Sequence, residues 1–126
     1  MTVVLAVDDS PSMRQMLAHT LRHGGYEVLE AVDGADALEH LSGRRVDVVL
    51  TDQNMPRMDG LALTRAVRSD TRWCHLPVLI LTTEAGDAAR QAGREAGATG
   101  WLVKPFEPER LLQVLGQVCP QAQESK

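Results

Sequence analysis

A chain of 126 residues, 44% apolar and 24% charged, is the size of one domain with one core and has the balance of an ordinary soluble globular protein. Its net charge of -4 argues against an electrostatic nucleic-acid binder, and no apolar run is long enough to cross a membrane. Cys74 and Cys119 lack metal-ligand spacing and are too few for a disulfide scaffold. They read as free thiols of a reducing compartment, and with no basic stretch ahead of Val3 to suggest a leader, the expected location is the cytoplasm.

The first element is an apolar strand, Val3 to Val7, that stops at Asp8-Asp9. Ser10-Pro11 then supplies an N-cap and a proline at the first helical position. Met13, Met16, Leu17, Thr20 and Leu21 follow on one helical face, and Gly24-Gly25 ends it. Tyr26 to Ala31 is a second strand, Asp33-Gly34 a turn, and Leu38 and Leu41 mark a helix closing near Gly43. Val46 to Thr51 is a short β-branched run and reads as a buried strand that ends at Asp52. Pro56 and Gly60 force a loop beyond it. Leu63, Ala66 and Val67 belong to a third helix starting near Asp59-Gly60. Arg65, Arg68 and Arg72 recur at helical spacing and read as a solvated face. Pro77 to Leu81 is the fourth strand, ending in Thr82-Thr83-Glu84.

The fourth helix, Asp87 to Ala96, is alanine-rich with Gly93 inside it, so it buries little area and is expected to be the least firmly held. Gly93, Gly97 and Gly100 do not form a dinucleotide fingerprint and are read as helix-end and turn residues. Thr99 to Val103 is the fifth strand, closed by Lys104-Pro105. Leu111, Leu112, Leu115 and Val118 define the last helix. Residues 1–118 form the expected domain and 119–126 a short polar tail. Five strands alternating with five helices predict an α/β fold: a single doubly wound (βα)5 domain with a parallel five-stranded sheet, covered on both faces and joined by right-handed crossovers.

Four strands end in chemically loaded residues: Asp8 and Asp9, Asp52, Thr82, and Lys104. In a doubly wound sheet these emerge at one edge, where ligands bind. Each alone is ordinary, a turn or cap aspartate, a strand-end hydroxyl, a solvated lysine; their coincidence is the signal. Three carboxylates in one cleft repel each other, and a divalent cation resolves the repulsion. An all-oxygen, highly charged donor set favours Mg²⁺. With Lys104 and Thr82 beside it, the cleft suits a phosphoryl group with a carboxylate as nucleophile.

On the segments Val7-Asp8-Asp9-Ser10, Thr51 to Pro56 with Met58-Asp59-Gly60, Leu81-Thr82-Thr83-Glu84 and Lys104-Pro105-Phe106, the chain resembles a response-regulator receiver domain of two-component signalling, of the stand-alone CheY-like kind. The resemblance, and not the spacing, supplies the strand order 2-1-3-4-5 of a flavodoxin-like sheet. It implies that Asp52 is the phosphoacceptor, that Asp9, Asp52 and the main-chain carbonyl of Asn54 bind Mg²⁺ with Asp8 supporting the metal through water, and that Thr82 and Lys104 bind the phosphoryl oxygens. It also implies a cis Lys104-Pro105 bond. Asn54, Thr83 and Glu84 flank the site as tuners of dephosphorylation. Trp101 stands where the family usually carries a Tyr or Phe switch aromatic.

The implied donor is a sensor histidine kinase and the implied output a protein target on the face of the fourth helix, fifth strand and fifth helix, with no nucleic acid or membrane partner. No separate substrate turnover is expected. Chemotaxis is the family-based favourite; regulation of a kinase or a phosphate sink fits the same physics, since no DNA-binding segment follows the domain. Two alternatives stand beside this reading. A Mg²⁺-dependent aspartyl-phosphate phosphatase also attacks through a strand-end Asp, but would want a second acid where Asn54 stands. An interaction module that is never phosphorylated is disfavoured because the acidic pocket is intact.

Overall fold

Parallel hydrogen bonding joins five strands in the order β2-β1-β3-β4-β5 in the computed structural model, which describes residues 2–84 and 86–118. The strands are β1 Val3–Val7, β2 Glu27–Ala31, β3 Val48–Asp52, β4 Val78–Thr82 and β5 Gly100–Val103. The helices between and after them are α1 Pro11–His23, α2 Gly34–Gly43, α3 Gly60–Ser69, α4 Asp87–Ala96 and α5 Pro108–Val118. The three inner strands are buried along their whole length, as continuous apolar runs require when both sheet faces are covered. Alternation sorts each strand between two cores. Val4 and Ala6 of β1, with Val48 and Leu50 of β3, meet Leu17 and Leu21 of α1 and Leu111 and Leu115 of α5. Leu5, Val7 and Val49 meet Ala37 and Leu41 of α2 and Leu63 and Val67 of α3 on the other face.

Helix starts follow local chemistry. The Ser10 hydroxyl accepts from the Met13 amide (3.4 Å), Asp33 accepts from Asp36 (2.9 Å) and Asp59 from Ala62 (2.8 Å), each satisfying an amide that the first turn leaves without an intrahelical partner. α4 differs: its N-cap is Gly86, with no side-chain cap, and it buries only Gly93 and Ala96.

Three expectations change. Met16 is 54% exposed; the buried stripe of α1 runs through Leu17, Ala18, Thr20 and Leu21. Arg65, Arg68 and Arg72 do not share a solvated face. α3 ends at Ser69, Arg72 pairs with Asp70 in the turn beyond (2.9 Å), and Arg68 donates inward to the carbonyls of Gly97 (2.9 Å) and Leu76 (2.6 Å). Gly100 is not a helix-end or turn residue but opens β5, while Gly93 lies inside α4 as expected, where a Cβ would come within 2.6 Å of the Trp101 indole. Strand boundaries shift by one or two residues: Asp47 precedes β3, its carboxylate accepting from the Val3 amide (2.8 Å). Among the described residues no helix is long and apolar enough to cross a membrane. The expected free thiol at Cys119 and the polar tail lie outside the described residues.

Candidate metal and phosphoryl centre

Parallel register brings the strand ends to one edge. Val7 pairs with Thr51, Asp52 with Leu81 and Thr82 with Val103, so Asp8, Asp52, Thr82 and Lys104 leave the sheet side by side. Main-chain bonds fix the exits: Asp8 donates to Ala31 (3.1 Å), Gln53 to Leu81 (3.0 Å) and Lys104 to Thr82 (2.7 Å). The Lys104-Pro105 peptide is cis, as the resemblance implied.

Carboxylate oxygens of Asp8, Asp9 and Asp52 all lie within 4.8 Å of one another. Asp8 and Asp52 are buried, while Asp9 is exposed. The Lys104 ammonium sits 2.7 Å from Asp52 Oδ1 and 3.8 Å from Asp8 Oδ2. Asp8 Oδ1 accepts from the Ser10 amide (2.9 Å), but Asp8 Oδ2 is buried without a hydrogen-bond partner. Burial is the main reason the Asp8 carboxyl is pushed above its ordinary value. The negative charges of Asp52 and Asp9 act the same way, against the Ser10 amide and Lys104. An acidic, all-oxygen cluster with an unsatisfied buried oxygen suits a hard divalent cation such as Mg²⁺.

Thr82 is fully buried, and its hydroxyl accepts from the Glu84 amide (3.2 Å). The Glu84 carbonyl in turn accepts from Trp101 Nε1 (3.1 Å). Trp101, half-buried on β5, thus connects to the loop after Thr82 while its ring lies against Gly93 of α4. Two grooves of about 280 and 250 Å³ flank it. A cavity of about 400 Å³ lies elsewhere, on α1 beside His19 and Arg22. Asn54, Thr83 and Glu84 are exposed on the rim loops.

Three supporting residues escaped the sequence reading because their partners are distant in sequence or their pattern is generic. Arg14 donates to the Asp8 carbonyl (2.7 Å) and pairs with Glu30 (3.2 Å), bracing the Asp8-Asp9 turn. Gln53 accepts from the Leu61 amide (2.9 Å), tying the residue after Asp52 to the start of α3. Arg57 pairs with Asp33, 24 positions away. Only Gln53 carried a signal, a buried polar group ahead of a helix start.

An acidic cleft closed by a lysine at the carboxyl edge of a 2-1-3-4-5 sheet is the arrangement of a receiver domain, and the family comparison agrees: the response regulator receiver domain matches residues 4–116, and the chain belongs to that family. Within it the chain is similar to chemotaxis proteins. It is 44% identical over 114 residues to the chemotaxis protein CheY1 of Helicobacter pylori, covering 89% of this chain and 92% of the relative. Identity is 39% over 117 residues to a chemotaxis CheY homologue of Campylobacter jejuni, covering 91% and 90%. Among solved structures, chemotaxis protein CheY4 of Vibrio cholerae superposes with a TM-score of 0.90 at 51% identity, covering 94% of this chain and 98% of that one. The receiver domain of a Pseudomonas aeruginosa sensor histidine kinase, with a magnesium ion coordinated in its active site cleft, gives 0.87 at 29% identity over 94% and 98% of the two chains.

Proposed function

We propose that the chain is a phosphorylation-dependent signalling switch in which Asp52 accepts a phosphoryl group. The observation that carries this is the Asp52 carboxylate held 2.7 Å from the Lys104 ammonium, beside a buried Asp8 oxygen that lacks a hydrogen-bond partner. The nucleophile, the counter-charge for an incoming phosphoryl group and a vacant oxygen ligand share one cleft.

Asp9, Asp52 and the Asn54 carbonyl would hold Mg²⁺, with Asp8 supporting it through water. Bound there, the ion offsets the charge of the cleft and of the phosphoryl oxygens. An Asp52 carboxylate oxygen attacks phosphorus of a phosphohistidine. The new bond is O–P; the P–N bond breaks, its electron pair returns to the imidazole, and that nitrogen takes a proton from solvent. Lys104 and the Thr82 hydroxyl then hold the phosphoryl oxygens. The acyl phosphate is lost to water, at a rate tuned by Asn54, Thr83 and Glu84 on the rim, with no separate substrate turned over.

The reading extends to the output. The phosphoryl group adds roughly -1.5 to -2 charge and draws Thr82 from the Glu84 amide. Trp101 donates to the carbonyl of the same residue, Glu84, so the face of α4, β5 and α5 receives the change. The chemotaxis relatives favour a protein target of chemotaxis in the cytoplasm, with a sensor histidine kinase as donor. The test is incubation with acetyl phosphate and Mg²⁺ followed by intact-mass spectrometry. One phosphoryl group per chain is expected, absent without Mg²⁺ and absent in Asp52→Asn; stoichiometric label in Asp52→Asn overturns the assignment.

A further inference from the structure

We infer that Arg57 is a positioning residue: its ion pair with Asp33 clamps the loop between β3 and α3 and thereby sets the Asn54 carbonyl that completes the proposed Mg²⁺ site. The inference rests on the function proposed above for that site and adds a control that lies outside the cleft.

The backbone singles out Arg57. Its φ is +67°, the one positive value at a non-glycine among the described residues. The Met58 amide donates to the Pro56 carbonyl at 2.7 Å, closing a three-residue turn with Arg57 at its centre. That turn with φ positive is rare and strained, and a side chain with a Cβ makes it more so. Strain of this kind persists only where surrounding contacts hold it, and it gathers at ligand clamps and switch regions.

The holding contacts come from the loop before α2. Arg57 Nε donates to Asp33 Oδ2 (2.7 Å) and its NH2 group to Asp33 Oδ1 (3.0 Å). This two-pronged fork fixes direction as well as distance. Asp33 is itself held in place: it is buried and caps α2 through the Asp36 amide (2.9 Å). A second link runs alongside, from the Gly34 amide to the Met58 carbonyl (3.2 Å). A Cβ at Gly34 would lie 2.6 Å from the Met58 side chain, so the two loops meet in close contact. The clamped turn begins two residues after Asn54. At its start the loop is tied by Gln53, which accepts from the Leu61 amide, and beyond Arg57 Asp59 caps α3. The ligand carbonyl thus sits in a loop fixed at both ends, and only the Arg57 end depends on a solvent-facing side chain.

Arg57→Gly and Arg57→Ala separate the clamp from the strain. Glycine takes positive φ without penalty, so Arg57→Gly loses the clamp and sheds the strain; alanine loses the clamp and keeps it. Asp33→Asn keeps an oxygen for the α2 cap and loses the charge pair. Two readouts are taken. In metal-free protein, amide exchange at Met58 and Gly34 should speed up in all three variants. In Mg²⁺ titrations followed by amide shifts, the dissociation constant should rise about tenfold, the low end for loss of a group that supports a ligand. The Arg57→Gly melting temperature should stay at or above that of Arg57→Ala. Wild-type exchange and Mg²⁺ affinity in both Arg57 variants overturn the clamp. Faster exchange with unchanged affinity overturns its role in metal binding. If the wild type itself fails to bind Mg²⁺, the proposed function fails, and the exchange arm still decides whether the clamp exists.

Discussion

Removing the Asp8 charge should stabilise the metal-free protein and weaken its response to Mg²⁺. In Asp8→Asn the amide oxygen can still accept from Ser10, as Oδ1 does at 2.9 Å, so the turn is kept. The charge terms can be sized. Asp8 and Asp52 oxygens lie within 4.8 Å, a repulsion of about 3.5 kcal/mol at an effective dielectric of 20. Lys104 at 3.8 Å from Asp8 Oδ2 returns about 4.4 kcal/mol on the same scale. Exposed Asp9 is screened toward the water value, roughly 1 kcal/mol. The pair terms nearly cancel, and what decides the sign is the burial of Asp8 Oδ2 without a hydrogen-bond partner. Replacing that buried charged oxygen with a neutral amide group is worth about 1–2 kcal/mol. At this chain length that is about 3–6 °C in melting temperature per kcal/mol. The assay is urea and thermal unfolding in EDTA and in Mg²⁺. The wild type should gain about 2.7 kcal/mol at 100 times the Kd, and Asp8→Asn should gain less from a higher metal-free baseline. A metal-free Asp8→Asn protein less stable than wild type, or one with an undiminished Mg²⁺ response, refutes the reasoning.

Other outcomes follow from named contacts. Gly93→Ala should destabilise by up to about 2 kcal/mol, because overpacking against Trp101 outweighs a helix-propensity gain of about 1 kcal/mol; in a Trp101→Ala background the same change should stabilise, and urea unfolding of the four proteins checks the cycle. Beryllofluoride with Mg²⁺ should alter Trp101 emission in a Trp73→Phe background, beyond the effect of Mg²⁺ alone, and Thr82→Ala should weaken that change; unaltered emission would mean that the signal bypasses the indole. The pair with Arg57 is the main reason the Asp33 carboxyl lies below its ordinary value of 3.8. A carboxyl depressed in the fold adds stability above its unfolded value, lost as pH falls through the lower folded one. The stability gap between wild type and Asp33→Asn should therefore be full above about pH 4 and close in more acid solution; a gap that persists unchanged at pH 2 refutes the pairing.

The sheet was legible because buried parallel strands write continuous apolar runs, and four of them end in polar or charged residues that break the run. Val3–Val7 and Val48–Asp52 differ from the sequence reading by at most two residues, since a chemical break marks each end. Long-range side chains were not legible. Arg68 looks like one of three arginines on a helix, yet burial draws its guanidinium below the ordinary arginine range, with carbonyls of the α4 C-cap and of the turn before β4 as partners. Arg57 looks like a loop arginine until its φ and its partner 24 positions away are known. Periodicity reports which face of an element is apolar; it carries nothing about which polar side chain spans two loops.

That division bears on how the proposed switch is built. The residues proposed to do the chemistry, Asp52, Thr82 and Lys104, stand at the ends of parallel strands, Asp52 and Thr82 on fully buried ones, so their positions follow from the fold. What remains adjustable lies in the loops around them: the Asp8-Asp9 turn braced by Arg14, the β3–α3 loop held by Arg57, and the Glu84 loop shared by Thr82 and Trp101. α4 lacks a side-chain N-cap and buries little. Arg68 bonds the carbonyl of Gly97 at its C-terminus. A helix tied at its C-terminal end and without a side-chain cap at its start should answer a push on the Glu84 loop by pivoting about Gly97. Trp101, lying on Gly93 in mid-helix, is where that pivot meets β5. Faster exchange confined to the first turn of α4 after phosphorylation, with Gly97 and Ala98 still protected, is the outcome this geometry requires. Equal loss of protection along the whole helix would mean that Arg68 does not anchor it.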